Sequence, residues 1–429
     1  MPESNPFSGP ARQRDLYVRG VAGERPAVPT APDALEKRAE QVMSREAWAY
    51  AGGGAGTGAT MLANRKAFDR WKIVPRMLRD VSRRDLSVEL FGARLPAPLL
   101  LAPIGVLELL HPDADLAVAR AARTLGVPMI FSNQASVPME ACARELGDTP
   151  RWFQLYWSSS DDMVASFARR AEACGCQAIV LTLDTTMLGW RTRDLDLGSL
   201  PFLRGMGIAQ YTSDPVFRSQ LAEPIAVTTP GPKVNLASIR ALLQVRRRAR
   251  AASLSTADMR KAVRHFTQTY SRPSLTWNNL AYLRGVTRLP LVLKGIQHVE
   301  DATRAVEEGV DGIIVSNHGG RQVDGARGSL DALPGVVDAV NGRIPVLFDS
   351  GVRGGADIFK ALAIGATAVL LGRPYAYGLA IAGETGVREV VENFAAELDL
   401  TLGLAGYASV RALNRDALEY DAGAGEGEG

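Results

Sequence analysis

Short apolar runs alternating eight times with amphipathic stretches predict an α/β fold, a (β/α)8 TIM barrel with an N-terminal helical extension and a long lid insertion after strand 4. The runs lie at 98–105, 128–133, 152–157, 178–184, 289–296, 312–318, 344–351 and 368–374, and almost all are rich in Val, Ile and Leu on both faces. A parallel sheet covered on both sides requires that pattern. Helical periodicity fills 115–126, 139–146, 162–175, 301–309 and 356–365 between them. Several runs end in polar residues, Asn133, Asp184, Lys294, His318 and Asp349, at the end of a barrel where chemistry is kept. Each could instead cap the helix that follows.

The flanks divide the chain further. Residues 1–34, rich in Pro, Arg and Ala without periodicity, are expected to form a flexible arm, residues 35–415 the barrel, and the Gly-rich 416–429 a disordered tail. The insertion, about 195–275, begins aromatic and turn-rich and becomes basic and helical over 240–264. That basic helix reads as a solvated face, with contact to a membrane surface or an acidic partner as the alternative. The segment Gly52-Gly-Gly-Ala-Gly-Thr-Gly58 imitates a nucleotide loop, but it follows a helical pattern and has Ala59 where a P-loop lysine is needed. A tight chain reversal is expected there.

The 429 residues are 46% hydrophobic and 22% charged, enough for a sizeable core, and a net charge of +3 gives no ground for a nucleic-acid partner. Cys142, Cys174 and Cys176 read as core or neutral thiols, and the four histidines show no metal-ligand spacing, so no metal is expected. With no secretory pattern and no run of spanning length, a cytoplasmic protein without membrane association is expected.

Three motifs carry chemistry. In Ser316-Asn-His-Gly-Gly-Arg321 a buried strand delivers Ser316 and His318 to the barrel mouth, where an imidazole can take a proton near neutral pH. Arg321 can hold a carboxylate by two parallel hydrogen bonds. The alternative is a histidine that satisfies a loop carbonyl beside a surface arginine. Asp349-Ser-Gly-Val-Arg-Gly-Gly355 and Leu371-Gly-Arg-Pro374 end the seventh and eighth runs, where barrels hold phosphate. A phosphorylated ligand follows.

Ser316 to Gln322 is the signature of the FMN-dependent 2-hydroxy acid oxidoreductases (glycolate oxidase, lactate oxidase, mandelate dehydrogenase), which the chain resembles from about 35 to 415. Pro75 to Leu78, Arg84 to Leu90, Ala102 to Val106, Phe202 to Gly205 and Asp214 to Phe217 are most similar to the lactate 2-monooxygenase branch. The resemblance implies FMN, a small L-2-hydroxy acid substrate, O2 as electron acceptor and a homo-oligomer, tetramer or octamer. Position by position it implies that His318 is the base, oriented by Asp184, and that Arg321 and Arg191 receive the carboxylate. Tyr50 would bind that carboxylate too, with Tyr156 near the substrate hydroxyl. Pro103, Ile104 and Gly105 would face the flavin ring, with Ser132, Gln154 and Thr182 on its edge, Lys294 at its pyrimidine end and Ser316 nearby. Asp349 would meet the ribityl chain, and Gly351, Arg353, Gly372 and Arg373 the phosphate.

Asn133 and Gln134 are expected to make one pocket wall polar and Gly105 to open space beside the flavin, which suits a substrate larger or more polar than lactate. The reduced flavin could pass electrons to O2 with release of the oxo acid, with its decarboxylation, or to a quinone. A flavin-binding barrel without turnover and a phosphate-sugar aldolase are the alternatives from other classes.

Overall fold

In the computed structural model, which describes residues 7–223 and 235–424, eight parallel strands close into a barrel. They are β1 (Leu99–Leu101), β2 (Met129–Phe131), β3 (Arg151–Leu155), β4 (Ile179–Thr182), β5 (Leu291–Ile296), β6 (Gly312–Val315), β7 (Val346–Phe348) and β8 (Ala368–Leu371). Each pairs with the next, and β8 returns to β1 through Val369, Leu370 and Leu371 opposite Leu99, Leu100 and Leu101. Every residue of β1, β2, β4, β6, β7 and β8 is buried, because one face fills the barrel and the other meets the helices. β5 carries an irregularity between Lys294 and Ile296, centred on Gly295 at φ 107°. A Cβ there would stand 3.0 Å from the Cβ of Asp184, so only glycine lets β5 run this close to the end of β4.

The outer layer contains the helices Ala114–Leu125, Met139–Leu146, Asp161–Ala173, Val299–Glu307, Ser329–Val340, Gly355–Ile364 and Arg373–Leu404, the last broken at Ala382 and Gly383. Before the barrel stand Pro32–Val42, Arg45–Gly52 and Ala59–Asp69. The glycine-rich turn between the last two is a chain reversal, held down where Ala55 N–H donates to Gly320 O at 2.9 Å and Gly56 N–H to Trp190 O at 2.8 Å.

Three expectations need correction. Residues 7–34 are not a loose arm: Gly9–Val21 is a helix capped by Ser8, and Gly9 N–H donates to the buried Asp399 carboxylate at 2.8 Å; residues 1–6 lie outside the described part. Arg12 pairs with Glu392 at 3.1 Å. The tail is not wholly disordered, since Leu418–Tyr420 pairs antiparallel with Trp71–Ile73 and the Tyr420 ring packs on Trp71; residues 425–429 lie outside the described part. The basic stretch 240–264 is two helices, Leu236–Ala251 and Thr256–Thr269, because Ser253 turns left-handed at φ 53° and Ser255 caps the second. Residues 224–234 of the insertion also lie outside the described part. No helix among the described residues is long and apolar enough to cross a membrane.

Candidate active site

At the C-terminal ends of the strands a cavity of about 320 Å³ opens, walled by residues between Tyr50 and Ala376, those of the insertion included. His318 follows β6 with a left-handed backbone, φ 58°, and its Nδ1 lies 2.8 Å from Asp184 Oδ1 at the end of β4. The Thr185 hydroxyl donates to the same oxygen at 2.9 Å. Burial pushes the Asp184 carboxyl up, but the neighbouring imidazole and its hydrogen bond outweigh this and hold it below its ordinary value. Asp184 is therefore an acceptor, Nδ1 carries the proton, and Nε2 keeps its lone pair. Burial also lowers the His318 pKa against the opposing pull of Asp184, so the imidazole stands neutral.

Three arginines converge on the same mouth. Arg321 donates to the carbonyls of Tyr50 and of Gly53, the latter at 3.1 Å, and lies 4.9 Å from the centre of the Tyr50 ring. Arg373 donates to Ala51 O at 3.0 Å, Gly53 O at 2.7 Å and Gly319 O at 2.8 Å. Tyr50, Ala51 and Gly53 end the helix Arg45–Gly52, so its last carbonyls, carrying the negative end of the helix dipole, hold both guanidiniums. Arg191 donates to Gln322 Oε1 at 3.0 Å. Among the described residues none of the three has a carboxylate within ion-pair distance. Burial, with Arg191 adding like charge, pushes the Arg321 guanidinium down to about 9. Recessed cations without counter-ions are costly, and an anionic ligand removes that cost.

The donor set fits FMN. Lys294, 4% exposed, pairs with Asp349 at 2.7 Å and donates to Ser316 Oγ at 2.5 Å. Gln154 binds the Ser132 hydroxyl through Oε1 and donates to Thr182 Oγ1, both at 3.2 Å, which leaves a row of polar groups along the strand ends. Ala102, Pro103, Ile104, Gly105, Leu370 and Pro374 supply an apolar wall on which a flat ring can lie. Arg353 and Arg373, with backbone at Gly351 and Gly372, line the same cavity and supply the cations and N–H groups that a phosphate requires. Among the described residues no cluster of three or more His, Cys, Asp or Glu side chains could hold a metal ion.

Of the residues singled out in the sequence, Tyr50, Tyr156, Arg191, His318, Arg321, Pro103, Ile104, Gly105, Gln154, Thr182, Lys294, Asp349, Gly351, Arg353, Gly372 and Arg373 line the cavity. Asp184, Ser132 and Ser316 stand one layer behind, bonded to His318, Gln154 and Lys294. The polar wall needs correction: Gln134 lines the cavity, but Asn133 turns away and accepts from Tyr156 N–H at 3.0 Å and the Tyr211 hydroxyl at 3.4 Å. Gly105 does not open free space either, because a Cβ there would meet Gln134 Cβ at 3.0 Å.

Sequence reasoning missed Thr185, Gln322 and Glu36. Gln322 donates to Asp184 O and Met187 O while it receives Arg191, which ties the β4 and β6 loops together. Glu36 pairs with Arg353 at 3.6 Å. Thr185 carried a signal in its position directly after Asp184; Glu36 carried none, being 317 positions from its partner.

Residues 39–420 match the model of the FMN-dependent dehydrogenase family. The FMN-dependent alpha-hydroxy acid dehydrogenase qulF of Penicillium citrinum is 43% identical over 409 residues, 95% of this chain and 94% of that protein. An L-lactate oxidase of Lysinibacillus sphaericus is 41% identical, over 93% of this chain and 95% of that one, and a 4-hydroxymandelate oxidase of Amycolatopsis orientalis is 41% identical over 89% and 96%. Among solved structures, mandelate oxidase with (S)-4-hydroxymandelic acid superposes with a TM-score of 0.75 at 37% identity, covering 91% of this chain and 98% of that chain.

Proposed function

The chain belongs to the FMN-dependent dehydrogenases and oxidises 2-hydroxy acids with FMN, and from that premise we propose how its residues divide the reaction. The observation that carries the division is His318 Nδ1 held 2.8 Å from Asp184 Oδ1 in a cavity that Arg321 and Arg191 also line, neither of which has a carboxylate partner among the described residues. Arg321 and Arg191 take the substrate carboxylate, with Tyr50 beside them. That fixes the C2 carbon against His318. Tyr156, whose phenol burial keeps protonated, donates to the substrate oxygen.

Converting R–CH(OH)–COO⁻ to R–CO–COO⁻ removes two electrons and two protons. His318 Nε2 accepts one proton, and Asp184 steadies the imidazolium that results. When bound, FMN would accept the electron pair together with the second proton. Lys294, already held by Asp349 and Ser316, sets a positive charge beside the ring, and Arg353 and Arg373 grip its phosphate. Leu200, Phe202, Phe266 and Tyr270 of the insertion keep bulk water from the mouth. The electrons then leave on O2, as hydrogen peroxide.

The test is anaerobic mixing of the holoprotein with lactate and mandelate, followed by product analysis in air. Bleaching of the flavin, then 2-oxo acid and equimolar peroxide, is the expected result. A flavin that stays yellow with every 2-hydroxy acid overturns the reaction. Oxo acid formed without O2 uptake overturns the acceptor, and an acid one carbon shorter with no free peroxide replaces release by decarboxylation.

A further inference from the structure

Directly after β7, Ser350 stands in the left-handed region at φ 84° although it carries a side chain. Asp349 still continues the ladder, its N–H donating to Val315 O at 3.0 Å, and Ser350 turns the chain away. Its neighbour Gly351, at φ 90°, is the residue such a turn favours, and a Cβ there would lie 2.9 Å from Asn64 O. At Ser350 the backbone favours glycine too, because in this region a Cβ crowds the following carbonyl. Ser350 is buried and lines the cavity. A disfavoured backbone kept at such a place points to a task for the side chain.

The Ser350 hydroxyl uses its full hydrogen-bonding capacity, one donor and two lone pairs. It donates to Asp349 Oδ1 at 2.7 Å and accepts from the N–H groups of Asn317 at 3.3 Å and Gly319 at 3.0 Å, the two amides that flank His318. The His318 N–H between them donates to Ser316 Oγ at 3.1 Å. Two hydroxyls thus fix three successive amides and with them the left-handed backbone of His318, φ 58°. Both also lead to one cation: Ser316 accepts from Lys294 at 2.5 Å, and Asp349, bonded to Ser350 through Oδ1, pairs with Lys294 through Oδ2 at 2.7 Å. A closed circuit therefore runs from the turn that carries His318, through Ser350 and Asp349, to Lys294 and back through Ser316.

We propose that Ser350 is a positioning residue of the reaction: its hydroxyl fixes the turn that aims His318 and, through Asp349, the placing of Lys294, so that the base and the cation beside the flavin keep one mutual geometry. This rests on the roles assigned above to His318 and Lys294 and adds the residue that joins them.

Two variants separate the hydroxyl from the backbone. Ser350→Ala removes the hydroxyl and keeps a Cβ on the left-handed turn, whereas Ser350→Gly removes both the hydroxyl and the crowding. Each is compared with the native holoprotein by thermal unfolding, by anaerobic stopped flow and by dye titration of the flavin potential. Ser350→Gly is expected to melt higher than Ser350→Ala. Both should nevertheless reduce their flavin about three- to tenfold more slowly at saturating lactate or mandelate, the worth of one neutral hydrogen bond, with substrate Kd within about twofold of native because Arg321 and Arg191 are untouched. The potential should move negative in both, since Asp349 without its donor offsets more of the Lys294 charge. A native limiting rate in Ser350→Gly, so that rate follows melting temperature, overturns the positioning role. An unchanged potential overturns the link through Asp349 to Lys294, and loss of FMN from both variants overturns the proposal in favour of cofactor retention. Failure of the reaction assignment shows elsewhere, as a native flavin that lactate and mandelate do not bleach; the dye titration, which needs no substrate, then still decides the link to Lys294.

Discussion

His318 and Arg321 have opposite tasks, yet burial pushes both towards the uncharged form. For the base this is useful, because Nε2 must be free to accept. With a pKa lowered from the ordinary value near 6.5, the imidazole stays competent to a lower pH than an exposed histidine would. For the clamp it sets a limit, since only the protonated guanidinium attracts a carboxylate, and that proton is lost as pH rises through about 9. The expected kcat/KM profile is a bell with its acid limb below about 6.5 and its alkaline limb near 9, read from steady-state rates across pH. Arg321→Met should raise KM about 10- to 100-fold and abolish the alkaline limb, a split that mere unfolding would not produce. His318→Gln should slow flavin reduction in stopped flow by about 10²- to 10⁴-fold while the protein remains yellow. A variant that loses its flavin would instead assign His318 to cofactor binding.

The helix Arg45–Gly52 and the turn after β6 depend on each other across the mouth. Gly320, at φ 73°, receives Ala55 N–H on its carbonyl, and a Cβ there would lie 2.8 Å from Met61 N. Gly320→Ala must therefore push the two segments apart, moving the carbonyls that hold Arg321 and Arg373. We expect about 1–3 kcal/mol of lost stability in urea unfolding together with weaker substrate binding; an unchanged midpoint would mean that the turn is not under strain. The same pair of elements shows what a sequence discloses. The barrel strands were legible because burial on both faces forces them to be almost wholly apolar, and the signature Ser316 to Arg321 because it is contiguous. The helix Gly9–Val21 was not, since it is mostly exposed and is held by Gly9 on Asp399 and by the Arg12 ion pair, contacts nearly 400 positions away that leave no periodicity. Asn133 was misread for a related reason: neighbours in a strand-end loop do not share a direction, and its amide serves Tyr156 and Tyr211 instead of the cavity.

Across the whole molecule the cavity touches the ends of β3, β4 and β5, the loops after β1, β2, β6, β7 and β8, and the helix Arg45–Gly52, so a ligand there joins elements from distant parts of the chain. The register between β1 and β2 rests on one pair, Leu101 opposite Met129, and β7 meets β8 through two. Arg373 has no carboxylate partner among the described residues and burial disfavours its charged form, so an anionic group of a ligand beside it relieves an unfavourable contact. Cofactor binding should therefore stabilise the fold by linkage, about 2.7 kcal/mol at a hundredfold excess over Kd. For a chain of this length that corresponds to a rise in Tm of a few degrees. Stripping the flavin and adding back FMN or riboflavin separates the contributions in one calorimetric series. FMN should restore the full Tm, and riboflavin less, by the share that the phosphate draws from Arg353 and Arg373. Arg373→Met should narrow the gap between the two ligands, because it removes one of the two guanidiniums, the one held by Ala51, Gly53 and Gly319. Equal stabilisation by FMN and riboflavin in the native chain would remove the phosphate from this end of the cavity and with it the placement of the ring along Gln154, Thr182 and Lys294.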